Sequence, residues 1–165
     1  MASTNVVARS VNELSLAAWF GGSLFGSLAS ARAGAARDES GEERAAAWDA
    51  WRPVEATAVV AQLVSGTALT IANRRRVVGQ SGVGVSTLTR MALTGAATAA
   101  TVLVWRAAAR QHSDDFASER KQAPSATLRW SVPVLTGSML VLDAWMGEQQ
   151  RPASVVSGVL RRIRA

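Results

Sequence analysis

The stretch LSLAAWFGGSLFGSLASA, residues 14–31, decides the reading of this chain. It runs for 18 residues between Glu13 and Arg32 without one ionisable side chain. A helix of that length rises about 27 Å, close to the roughly 30 Å hydrocarbon core of a bilayer. A soluble amphipathic helix of five turns carries charge on its outer face. This one carries none on any face. A second stretch, ATAVVAQLVSGTALTIAN at 56–73, repeats the pattern over another 18 residues, between Glu55 and Arg74.

Two weaker stretches follow. Met91–Trp105 is free of charge for 15 residues and lengthens upstream if Arg90 is admitted. Trp130–Leu142 is free for 13 and reaches Gly147 if Asp143 is admitted. The expectation is an all-α chain: a four-transmembrane-helix bundle with spans near 14–31, 56–73, 87–105 and 130–147. Residues 1–165 then form a single membrane domain.

The whole-chain mean hydropathy is only +0.12 and the spans are rich in Ala, Gly, Ser and Thr. Charged loops dilute that mean, and small residues are the usual material of helix contacts inside membranes. A soluble Ala-rich helical bundle and a peripheral protein are the alternatives. Ala29-Ser30-Ala31 resembles a signal-peptide cleavage site. The lead before it holds only Arg9 as a cation and Glu13 abuts the apolar run, which favours retention.

Between spans one and two, residues 32–55 are dense in charge and read as a partly helical loop. Pro53 suits the first turn of the next helix, as Pro133 suits that of span four, because the missing N–H costs little there. Gly79, Gly82 and Gly84 mark a turn. Residues 153–165 read as a basic amphipathic tail on the membrane surface, or as a solvated end. With four spans, both termini share a side with the 74–90 loop. Nine Lys or Arg fall on each side, a tie in the positive-inside count. The Arg74–Arg76 cluster at a span end tips the expectation to cytoplasmic termini and an inner-membrane location. Trp48, Trp51, Trp105, Trp130 and Trp145 flank spans, as interfacial anchors do; Trp19 lies inside one.

Chemistry is scarce. There is no Cys, one His and a single Lys among 18 basic residues. Thiolate metal sites, Cys nucleophiles and disulfides are excluded. His112 with Asp114, Asp115 and Glu119 matches no ligand spacing and reads as a solvated loop. The glycines at 79–84 lack the order of a dinucleotide fingerprint. The Arg residues flank spans, so the net charge of +6 does not imply nucleic acid. No catalytic residue, cofactor or metal is expected.

Two constellations remain. Gly22 and Gly26, and Gly95 with Ala99, have small-xxx-small spacing and are expected helix-packing positions, within the chain or towards a partner or second copy. Arg90 and Asp143 lie towards one side of spans three and four and are the candidate intramembrane ion pair; the alternative is that each snorkels separately. Gln62 and Asn73 add polarity to span two, and Glu55, Arg106 and Arg129 cluster at the other interface.

The stretches Leu16–Leu24, Ala72–Arg76, Gly82–Thr87 and Met146–Pro152 resemble those of small uncharacterised integral membrane proteins of actinobacteria, across most of the chain. The Arg-to-Lys ratio and the 32 Ala fit a GC-rich genome. The resemblance implies a four-span architecture and no activity or cofactor. A looser similarity, of architecture alone, is to four-helix membrane proteins of the anthrone-oxygenase type; no motif carries it, so no site residue transfers. The expected role is a non-enzymatic accessory or structural component of the cell envelope. The alternative is a membrane enzyme or carrier for a lipophilic small molecule. The expected partners are the lipid bilayer and a further membrane protein or second copy.

Overall fold

The computed structural model describes residues 2–35, 41–74, 83–113 and 125–149, and side chains over 6–32, 50–74, 84–110 and 125–147. These residues form four helices: α1 Ala2–Ala35, α2 Gly41–Ala72, α3 Val83–Ser113 and α4 Ala126–Gln149. The segment containing the 79–82 glycines, Asp114, Asp115 and Glu119, and the tail 153–165 lie outside the described residues, as does the side chain of His112.

Three of the helices are long and apolar enough to cross a membrane: α1 over Val6–Arg32, α2 over Ala50–Ala72 and α3 over Gly84–Arg110. In α4 the apolar run is broken by Asp143, and α4 does not reach that composition.

The hydroxyl-rich composition has a local explanation. Thr94, Thr98, Thr101, Thr136 and Ser138 each donate to the carbonyl four residues back, at 2.8–2.9 Å. Thr67 and Thr70 do the same at 2.7 and 2.8 Å. A hydroxyl so engaged needs neither water nor a distant partner, so Ser and Thr sit in a helix facing an apolar medium at low cost.

The helices pack as a ring. α1 lies against α2 and α4, and α3 lies against α4; α2 and α3 scarcely touch. The centre is filled by Leu16, Trp19, Ala97, Thr101, Thr136 and Met139, each at or near zero exposure. The Trp19 indole Nε1 donates across the ring to Thr101 Oγ1 at 3.1 Å, which is how a tryptophan is accommodated in the middle of a bundle.

Both internal prolines depart from the expected first-turn placement. α2 starts at Gly41, so Pro53 lies in the helix interior, and the charged stretch before it is largely helical. The Glu- and Ala-rich sequence from Glu42 to Ala47 has enough helix propensity to extend α2 well before the apolar run. Pro133 likewise lies inside α4, which starts at Ala126. A proline at 133 removes the N–H that would bond the carbonyl of Arg129. Ser27 Oγ of α1 lies 3.1 Å from that carbonyl and 2.9 Å from Ser23 O of its own helix, so one hydroxyl proton faces both acceptors. The carbonyl that α4 leaves without an internal donor thus has a share in its neighbour's hydroxyl.

Candidate functional site

The polar side chains inside the bundle converge on one level. Asn12 and Ser15 come from α1, Gln62 and Ser65 from α2, Arg90 from α3 and Asp143 from α4. Asn12, Ser15, Gln62 and Ser65 are all buried, Gln62 at 2% exposure. Their sequence logic is helical. Asn12 and Ser15 are three apart, as are Gln62 and Ser65, so each pair shares one face.

Asn12 is the hub. Its Nδ2 donates to Ser65 Oγ at 3.1 Å, and its Oδ1 accepts from the Arg90 guanidinium. Arg90 Nη2 also donates to Asp143 Oδ2 at 2.8 Å. Ser15 Oγ lies 2.9 Å from Gln62 Oε1 and 3.0 Å from the backbone oxygen of Asn12. A continuous run of side chains therefore joins α4, α3, α1 and α2. Arg90 Nε is buried without a partner. The acid and the base offset each other, and Asn12 takes a further guanidinium donor. Such a cluster ties helices together.

These bonds also fix the register. Asn12 stands level with Ser65 and Ser15 with Gln62, so the charge-free window of α1 lies beside residues 46–63 of α2. Only the stretch 56–63 of α2 is charge-free on both helices, about 12 Å of rise. The two long runs that define the fold are thus staggered, which their lengths give no means of anticipating.

At the opposite end, Glu55 is 3% exposed and accepts from Trp105 Nε1 at 2.9 Å. Arg106 is exposed and Arg129 half-buried. The expected cluster of these three charges is a carboxylate–indole bond with the arginines at the rim. On the register above, Trp51, Trp105 and Trp130 fall at this same end, near residues 25–27 of α1, and Trp145 falls near the other.

The small-residue motifs divide. Gly22 and Gly26 are buried. A Cβ on Gly22 would fall inside the indole of Trp51, so the missing side chain is what admits the ring. Gly95 and Ala99 are exposed, and a Cβ on Gly95 would meet nothing. Asn73, expected to add polarity within span two, bonds its own helix, Nδ2 to Leu69 O at 2.8 Å. Sequence reading singled out Arg90, Asp143 and Gln62 but missed Asn12, Ser15 and Ser65. The signal available for these three was their i, i+3 spacing on apolar faces.

No group of three or more metal-ligating side chains occurs among the described residues. The chain matches no protein-family model, no curated protein and no solved structure.

Proposed function

We propose that this chain is a four-span integral membrane protein that works as a non-enzymatic component of the cell envelope. The observation that carries this reading is the fate of its polar side chains. Asn12, Ser15, Gln62, Ser65, Arg90 and Asp143 bond across helices, Thr136 and Ser23 bond their own helix, and the centre holds Leu16, Trp19, Ala97 and Met139 at zero exposure. A filled centre weighs against a carrier or enzyme that holds a lipophilic molecule inside the bundle.

The four-span arrangement is supported by the depth of the charges. Between the level of Arg9 and that of Arg129, set by the Ser27 bond, lie 18 residues of α1, about 27 Å. The slab matches the thickness of a bilayer core. It takes in about 9–27 of α1, 50–68 of α2, 87–106 of α3 and 129–147 of α4. Spans three and four stand near their expected bounds. Spans one and two slide by several residues towards the N-terminal part of each helix. Inside the slab Arg90, Asp143 and Glu55 each have a partner, and Arg52, within one turn of the slab's edge, is a charge acting on Glu55. Glu13, exposed, lies one turn below Arg9. Asp143 accounts for the shortfall of α4 in apolar character, and Arg90 is the neutralising charge that lets α4 cross. Cytoplasmic termini remain the orientation favoured by Arg74–Arg76.

Purification of the native full chain in several mild detergents tests the role. Co-purification of a stoichiometric membrane partner or a stable homo-oligomer is expected. A lone monomer in all of them contradicts it. Carbonate-washed membranes separate the soluble alternative, which predicts release of the chain into the wash.

A further inference from the structure

Three of the four neighbouring helix pairs, α1–α2, α1–α4 and α3–α4, are closely packed. The α2–α3 pair is not. Among the described residues, the side-chain hydrogen bonds that tie α2 to α3 sit at the two ends of their seam. At one end Trp105 Nε1 bonds Glu55 Oε2 directly, at 2.9 Å. At the other, Arg90 reaches α2 through Asn12, which bonds Ser65. Between these ends both helices turn to α1: Thr101 bonds Trp19 and Gln62 bonds Ser15.

We propose that the α2–α3 seam is a lateral gate held shut by the Trp105–Glu55 latch. The α1–α2 pair and the α3–α4 pair swing apart about the α1–α4 contact, and the Trp19–Thr101 and Arg90–Asn12 bonds, which also cross between the two bodies, part with the seam. Dispersion contacts are individually small and add with packed area, so parting α2 from α3 gives up little, whereas parting α1 from α4 gives up much. Packed pairs moving as bodies over a weak contact is a familiar mode of helical rearrangement. A hydrogen bond to a carboxylate, shielded from water, is the strong element of an otherwise sparse interface. The gate rests on the helix register alone, so it holds whatever role the chain has in the envelope.

The absence of native Cys makes distance measurement direct. The full chain carries spin-label pairs in lipid nanodiscs: Val60→Cys with Ala99→Cys across the seam, and Leu14→Cys with Val64→Cys across α1–α2. All four positions are exposed. Both pairs give one narrow distance in the otherwise unchanged chain. Trp105→Phe removes the donor and keeps a ring; Glu55→Leu removes the acceptor from the other side. Each adds a second, longer component to the seam pair and leaves the α1–α2 pair narrow. Glu55→Gln, which keeps an acceptor oxygen, retains the single narrow distance at both. An unchanged seam distance in both Trp105→Phe and Glu55→Leu overturns the gate. So does equal broadening of the two pairs, which reports general loosening.

Discussion

The two ends of the bundle are held by different chemistry. Towards the termini, Asn12, Ser15, Gln62 and Ser65 are short polar side chains that meet Arg90 and Asp143, and hydrogen bonds set the register. Towards the loops, Trp51 lies against Gly22, Trp105 holds Glu55 and Ser27 repairs Pro133, so ring packing and single bonds set it. The difference is one of what a helix can hide. A charge in an apolar medium needs an opposite charge or several donors, so the ionic end recruits all four helices. Glu55, a single buried carboxylate near that end, is served by the Trp105 indole with the Arg52 charge nearby.

The comparison breaks most readily at its ionic end. Arg90→Leu leaves Asp143 without its cation and Asn12 without a donor, and is expected to cost about 3–5 kcal/mol, the range for a buried pair that loses one partner. Most of that loss returns in Arg90→Leu with Asp143→Leu, because no uncompensated charge remains. Reversible unfolding in mixed micelles gives both values. A double variant as unstable as the single would mean that the pair does not act as a unit.

At the aromatic end, Gly22→Ala drives a methyl into the Trp51 ring. Overpacking of this kind costs about 1–3 kcal/mol, read in the same unfolding assay. Gly22→Ala combined with Trp51→Ala recovers part of it if the clash is the cause.

Ser27→Ala removes the hydroxyl that the Arg129 and Ser23 carbonyls share and is expected to cost up to about 1 kcal/mol. In the background Pro133→Ala the carbonyl regains its own N–H, and the effect of Ser27→Ala falls towards zero. A full double-mutant cycle between Ser27 and Pro133 measures that coupling; additive effects would show that the serine serves another purpose.

The smallest effect is the outward control. Gly95→Ala meets open space, so it gains only the helix propensity of alanine, about 0.5–1 kcal/mol towards stability. Stability of the monomer rising while self-association or partner capture falls would identify the Gly95 and Ala99 face as the surface used in the membrane.

The helices themselves were legible because missing charge is a one-dimensional property of the chain. Arg90 and Asp143 were legible for the same reason, as exceptions within apolar runs. Register was not: a charge-free window marks where a helix tolerates lipid, and neighbours decide where it sits. The stagger of α1 against α2 follows from Asn12–Ser65 and Ser15–Gln62, contacts between residues 53 and 47 apart in sequence. Small-xxx-small spacing was equally silent on direction. Gly22 and Gly95 have the same local signature, and only the presence of Trp51 opposite one of them separates a packed face from an outward one.

The central claim is that all four helices cross the membrane, α4 included despite Asp143. Single cysteines introduced at Ser40, Gln80, Ala117 and Ala165 of the Cys-free chain, probed in intact cells with a membrane-impermeant maleimide, test it most directly. The account predicts that positions 40 and 117 label from outside, and that 80 and 165 label only after permeabilisation. Positions 117 and 165 labelling from the same side would contradict it, since α4 would then not cross.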